Sequence, residues 1–357
     1  DASWEIDVFG GVRREIQAAD AELDAAVEDA RDVLVTLAAE VARNYVEYRQ
    51  FQQRIAVVER TIAAQQETVD LTDSRFQAGL SAELEVAQAR AQLQLRASQL
   101  PTLVIGMKEA MHRLGVLLGK EPSALAAELA ELEQIPRPPE VIPVGLPSEL
   151  LRRRPDIRRT ERELAAATAR IGVETAELFP KFSLTGSFGF RSSEFEDTLD
   201  ANSRAWSFGP AFRWRIFNAG EVRNQIRAAG AREEAAVARY EQRVLVAFEE
   251  VENALTGFVQ QQNRRLALAR AVEANQRAVQ LATDRYTSGV GDFLNVLESQ
   301  RQLYDAEDQL VESEAAVTRS VIALYKALGG GWDDRRVEPD AEAPVAAEPA
   351  PTQPTEG

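Results

Sequence analysis

Hydrophobic residues follow two periods along this chain, one of seven and one of two. Neither glycine nor proline occurs between positions 12 and 78, and Val27, Leu34, Val41, Tyr48, Ile55, Ile62, Val69 and Phe76 fall at every seventh position. That spacing is the seam of helices packed lengthwise, and the span predicts one helix about 100 Å long. Val237, Val244, Val251, Phe258, Val272, Val279 and Tyr286 keep the same register, interrupted at Arg265. After Gly289 the apolar line returns as Val296, Leu303, Leu310, Val317 and Leu324, with Ser299, Ala306, Ser313, Ser320 and Ala327 each three residues further on. A row of small side chains beside a row of large ones lets two helices approach closely. Two long helical hairpins are expected, turning at 79–82 and 289–291, with the first return helix kinked at Pro101 and Gly106.

The period of two governs three shorter segments. Phe182, Leu184, Gly186, Phe188 and Phe190 alternate with Ser183, Thr185, Ser187, Gly189 and Arg191. Trp206, Phe208, Pro210, Phe212, Trp214 and Ile216 alternate with small or basic residues, and Trp4, Ile6 and Val8 with Glu5 and Asp7. Each segment reads as a strand with one aromatic face and one small or polar face, near the roughly 9–11 residues that cross a bilayer as a tilted strand. Phe182, Phe188, Phe190, Trp206, Phe208, Phe212 and Trp214 form the candidate lipid-facing set. So few strands cannot bury such a face alone. In lipid a closed barrel is the edge-free solution, so the remaining strands are expected from identical partner chains. The acidic loop at 192–204 would lie outside the membrane. The heptads by themselves fit a soluble coiled-coil scaffold without a pore; the strands weigh against it.

The chain also repeats itself. Trp4, Ile6, Gly10, Val12, Arg13, Ile16, Ala18 and Ala19 recur 210 positions later as Trp214, Ile216, Gly220, Val222, Arg223, Ile226, Ala228 and Ala229. Gln66, Val69, Leu71, Arg75, Gly79, Leu84, Val86, Gln92 and Leu93 recur as Gln276, Val279, Leu281, Arg285, Gly289, Leu294, Val296, Gln302 and Leu303. The expected fold is mainly α with a small β part, duplicated internally. A first repeat covers 1–130, with a strand at 3–9 and a helical hairpin at 12–119. A proline-rich linker follows at 131–147. The second repeat covers 148–332, with helices at 148–178, strands at 181–191 and 205–217, and a hairpin at 220–328. The acidic, proline-rich stretch 333–357 is expected to be disordered. Counterparts of 147–205 would fall before Asp1, so a longer protein is expected, with one more helical pair and strand upstream.

Charge and composition then exclude several chemistries. With 57 acidic against 41 basic residues and a net charge of −16, the chain repels phosphate backbones, and nucleic acid is not an expected partner. There is no cysteine and His112 is the single histidine, so disulfides, thiol catalysis, Cys/His zinc sites and a Ser-His-Asp triad are not expected. Gly329, Gly330 and Gly331 lack the Lys-Ser/Thr of a phosphate loop and read as a helix stop. Arg152, Arg153 and Arg154 read as solvated charge or a subunit-boundary contact in preference to an anion site. No cofactor, metal or catalytic site is expected. Gly79, Leu80 and Ser81, and Gly289, Val290 and Gly291, permit the tight hairpin turns. Leu80 and Val290 at such turns call for a covering partner.

Four longer motifs give the chain a family likeness. GLPSELLRRRPDIRRTERELAAATARIGV (145–173), FPKFSLTGSFG (179–189), RYTSGVGDFLNVLESQRQLY (285–304) and LYKALGGGW (324–332) resemble the outer-membrane factor family. Within that TolC-like group they are most similar to the OprM-like (NodT-type) lipoprotein branch, and the likeness covers nearly the whole chain. It implies a homotrimer with a 12-stranded outer-membrane β-barrel, four strands per subunit, above a long α-helical barrel in the periplasm of a Gram-negative cell. It implies a passive exit duct, not an enzyme, for a tripartite efflux system of the resistance-nodulation-division type. The implied partners are a periplasmic adaptor, an inner-membrane pump and outer-membrane lipid. A type I protein-secretion duct is the alternative in the same architecture, against which GLPSELLRRRPD and LYKALGGGW speak. By the same resemblance Leu294, Asn295 and Glu298 match the periplasmic aperture, Asn295 standing where the TolC type is acidic, and the two hairpin tips meet the adaptor. Members of this branch begin with a signal peptide and a lipidated cysteine, neither of which lies within these residues.

Overall fold

A computed structural model describes residues 1–138, 153–190 and 204–330. The helix start at 148–152, the acidic loop at 192–203, Pro139, Pro143, Pro147, Gly331 and the acidic tail lie outside the described residues. The elements in chain order are β1 (Ala2–Ile6), α1 (Gly11–Gln77), α2 (Glu83–Ala97), α3 (Leu100–Leu117), α4 (Pro155–Ala176), β2 (Lys181–Phe190), β3 (Arg204–Arg213), α5 (Glu221–Thr287) and α6 (Phe293–Ala327). The chain is mainly helical with one small sheet. α1 and α5 are each 67 residues long. The left-handed glycines repeat with the sequence: Gly10 and Gly220 at φ 78° and 84°, Gly79 and Gly289 at 73° and 76°, Gly119 and Gly329 at 67° and 72°.

β2 lies between β1 and β3, antiparallel to both. Register sets the two faces. Phe182 pairs with Phe212, Leu184 with Pro210, Gly186 with Phe208 and Phe188 with Trp206, while Trp4 and Ile6 pair with Leu184 and Phe182. The apolar residues therefore share one continuous face, and most of it is exposed: Phe188 66%, Trp206 77%, Phe208 69% and Phe212 73%. The other face carries Ser183, Thr185, Ser187 and Ser207, with the Ser187 and Ser207 hydroxyls 2.8 Å apart. β1 stops at Ile6, short of the expected 9, because the Asp7 carboxylate accepts the Val12 and Arg13 amides at 3.1 and 3.0 Å and opens α1. β3 stops at Arg213 and not at 217, so Trp214 is not a strand residue. Its indole N–H donates to the Leu178 carbonyl at 3.1 Å, tying it to the segment that follows α4.

The first half of α1 packs on α4, where Glu28 pairs with Arg31 and Arg158 at 2.7 Å each and Arg159 pairs with Asp29. Its second half packs on α2, α3 and α6, and α5 packs on α4 and then α6. The first return helix breaks at Ser98 and Gln99, before Pro101, and continues unbroken through Gly106. Pro101 sits in the first turn of α3, where its missing N–H costs nothing. Gly106 is a close-approach position: a Cβ there would lie 2.5 Å from Cζ of Phe51. Residues 129–138 wrap α1 and α6 as a strap. Tyr48 and Gln52 donate to the Leu129 carbonyl at 2.9 and 3.0 Å, Arg49 to the Glu131 carbonyl at 2.7 Å, and Thr318 to the Pro136 carbonyl at 2.8 Å. Ile135 is buried between Val46 and Ala315. Arg154, one of the three consecutive arginines, is buried and paired within the chain, not solvated. Among the described residues no helix is long and apolar enough to cross a membrane.

Candidate functional site at the hairpin tips

Both hairpins reverse through the same geometry. The Leu80 amide donates to the Arg75 carbonyl at 2.8 Å and Val290 to the Arg285 carbonyl at 3.0 Å, each closing over a left-handed glycine that any Cβ would strain. Leu80 and Val290 stand outward, 66% and 69% exposed. Ser81 donates to the Thr72 carbonyl, and Gly291 lies so close to Arg285 that an added Cβ would be 2.9 Å from the arginine Cβ. Asp292 then starts α6 by accepting the Leu294 amide at 3.0 Å.

That start divides α6 into two faces. Phe293 and Val296 are buried with Tyr286, Val69, Ala89 and Leu93, which joins the two tips through one apolar cluster. Leu294, Asn295 and Glu298 face outward, with Leu294 54% exposed. Leu294 and Glu298 stand one turn apart, and among the described residues Glu298 bonds only to side chains of its own helix. Arg301 pairs with Glu298 at 2.8 Å and Gln302 donates to it at 2.8 Å, and these bonds hold its carboxyl below the ordinary range.

A polar tie crosses from one hairpin to the other beside the cluster. The Tyr286 hydroxyl donates to Glu85 at 2.5 Å, the Arg75 guanidinium lies 4.7 Å from the Tyr286 ring centre, and Arg75 donates to the Thr287 carbonyl at 3.2 Å. Burial, then the Glu85 carboxylate, push the Tyr286 phenol up to about 12, so it stays a donor. Further from the tip, Gln300 donates to Thr68 at 2.9 Å and Arg54 forks onto Asp308 at 2.7 and 2.9 Å. Sequence reasoning named none of Glu85, Arg54, Thr68 or Asp308. Tyr286 carries a signal: it ends an otherwise aliphatic stretch of the seam, after Val272 and Val279, with a hydroxyl that burial obliges to find a partner.

Comparisons with known proteins agree with one another. The outer membrane efflux protein family model matches residues 1–120 and 146–330. Nodulation protein T of Rhizobium leguminosarum bv. trifolii is 33% identical over 331 residues, covering 93% of this chain and 71% of its own. Outer membrane protein OprJ of Pseudomonas aeruginosa is 34% identical over 333 residues, covering 93% and 69%. The solved structure of the outer-membrane channel OprN superposes with a TM-score of 0.88 at 41% identity, covering 92% of this chain and 74% of that one. The open state of the MtrE outer membrane channel of Neisseria gonorrhoeae gives a TM-score of 0.82 at 29% identity, covering 92% and 74%.

Proposed function

The chain belongs to the outer membrane efflux protein family and is an outer-membrane exit duct reaching into the periplasm of a Gram-negative cell; on that premise we propose that its resting gate is the exposed face of α6 at Leu294, Asn295 and Glu298. Channels of this family are trimeric and serve efflux pumps. Three copies of that face, turned to a common axis, stack a leucine ring on a glutamate ring one helical turn away. The leucines exclude water and the carboxylates favour cations, each tempered by its own Arg301. The observation that carries this reading is the split of one helical turn: Phe293 and Val296 are used to seat the second hairpin on the first, while Leu294 stands exposed and Glu298 is bonded only within its own helix, to Arg301 and Gln302.

The remaining surfaces fit the same reading. Phe182, Phe188, Phe190, Trp206, Phe208 and Phe212 face lipid, and the Ser and Thr face lines a wet lumen. Both edges of the three-stranded sheet are open to neighbouring copies. No residue of α5 between Ala254 and Tyr286 is buried, which leaves that stretch for a neighbouring subunit. Gly79, Leu80, Ser81, Gly289, Val290 and Gly291 form the surface for a periplasmic adaptor, which joins the duct to an inner-membrane pump of the resistance-nodulation-division type. The duct is passive, with no catalytic step. Relatives named for toluene efflux and pyoverdine export point to small-molecule cargo. In planar bilayers, Leu294→Ala with Glu298→Ala is expected to raise single-channel conductance and weaken cation preference. Unchanged values from intact trimers would move the gate elsewhere.

A further inference from the structure

The strongest unabsorbed feature is a buried ion network far from the tips. Arg154, 4% exposed, precedes α4 and forks onto Asp156, with Nε to Oδ1 at 3.1 Å and Nη2 to Oδ2 at 2.7 Å. It reaches Glu250 of α5 at 2.6 Å and donates through Nη1 to the Ala327 carbonyl at 2.8 Å. That carbonyl is one of those left without an intrahelical partner at the end of α6. Asp156, 2% exposed, also accepts the Ile157 amide at 2.9 Å and pairs with Arg243 of α5. Asp32 of α1 and Lys326 of α6 line the same cavity of about 90 Å³. Beyond α6 the chain turns at Gly329, φ 72°, against α4: a Cβ there would sit 3.0 Å from Cα of Arg154. Burial pushes the Asp156 carboxyl up, but the two arginines outweigh it and hold it below its ordinary range.

The ties nearer the tip are of another kind. Arg54–Asp308 and Arg96–Asp305 join side chains that are partly exposed, the second at 3.6 Å, and water can replace such pairs at little cost. The Arg154 contact instead seizes backbone, and one guanidinium serves three elements at once.

We propose that the Arg154–Asp156 network is the fixed end of the gate helix, clamping the C-terminus of α6 to α4 and α5 so that the gate moves by a bend of α6 and α5 below the clamp and not by sliding of the whole hairpin. This rests on the gate reading above. From Ala327 to Leu294 is about 50 Å of helix, so a bend of about 10° under the clamp carries Leu294 about 9 Å. Arg154 is then a positioning residue, acting on the aperture through the length of α6.

These 357 residues hold no cysteine, so spin labels can be placed among them at will. In the full-length trimer, one pair at Val33→Cys and Ala323→Cys reports the clamp, and a second at Glu67→Cys and Gln302→Cys reports the gate end. Distances and bilayer conductance are measured in the resting protein and with Tyr286→Phe, Glu85→Gln and Arg75→Ala together, which remove the tip tie. Conductance is expected to rise and the lower distance to lengthen by several ångströms while the upper distance holds. An upper pair that shifts as far as the lower one overturns the clamp. Arg154→Lys keeps the charge but cannot reach Asp156, Glu250 and Ala327 together, and is expected to broaden the upper distance distribution and make conductance unsteady; a distribution as narrow as the parent's also overturns the clamp. If the tip variant leaves conductance and lower distance at resting values, the gate reading fails by itself, and the Arg154→Lys result still decides the clamp.

Discussion

Tyr286 gives up its freedom as a seam residue to make one bond, the 2.5 Å contact with Glu85 of the other hairpin. Tyr286→Phe removes that bond without changing packing volume, and a net loss of about 1 kcal/mol per subunit is expected from the loosened tip. Planar-bilayer recordings should show more frequent openings in that variant than in the parent. The bond also has a pH signature. The phenol is raised from 10.0 to about 12, so the tie contributes fully below pH 10 and is lost as pH climbs through about 12. Conductance is therefore expected to be flat from neutral pH to 10 and to rise above it, and the Phe variant to lose that rise. Glu298 makes the opposite case. Its carboxyl is fully exposed and held down by Arg301 and Gln302, so it remains charged at neutral pH. Arg301→Ala removes the local counter-charge, and reversal potentials in a salt gradient should then report stronger cation preference.

Two turns within the second repeat offer an internal control. Gly289 and Gly329 both have left-handed backbones, at φ 76° and 72°. An added methyl meets nothing within 4 Å at Gly289 but meets Arg154 at Gly329. Gly289→Ala should cost about 1–2 kcal/mol from backbone strain alone. Gly329→Ala should add about 1–3 kcal/mol of overlap, and thermal unfolding of the two variants should separate them by several degrees. What could be read beforehand follows the range of the interaction. The hairpin turns, the helices and the alternating strands depend on neighbours a few positions away, and Gly79, Gly289 and the Phe182 to Phe190 alternation announced them. The resemblance added the family, which the relatives bear out. The strap over Tyr48 and the burial of Arg154 depend on residues some 80 to 170 positions distant, and no local pattern encodes them. The strand boundary at Trp214 has the same origin: alternation continues through it, but the strand ends at Arg213 and the Leu178 carbonyl takes its indole N–H.

At the scale of the whole molecule, the apolar face of the sheet exceeds anything three strands can cover. Phe188→Arg or Phe212→Arg places a charge on that face and is expected to cost about 2–4 kcal/mol per subunit if near the bilayer midplane. Membrane-fraction yield of trimer should fall accordingly, with helix content of the material that does fold unchanged.

The equal lengths of α1 and α5, 67 residues each, make the two helices a matched pair of rulers. Both are anchored at the sheet end by a left-handed glycine, and both must bring their far ends to the same height and the same rotation for Tyr286 to meet Glu85. Height and rotation are coupled in a helix: each residue adds about 1.5 Å and about 100°. Deleting one residue from α5 alone would turn the tip through about 100°, a little more than a right angle, and misplace every contact beyond it. Removing one heptad from α1, α2, α5 and α6 alike would shorten the helical barrel by about 10 Å and bring every seam residue back almost to its former azimuth. The span between the outer membrane and whatever meets the tips is thus set in steps of seven residues, and only when four helices change together.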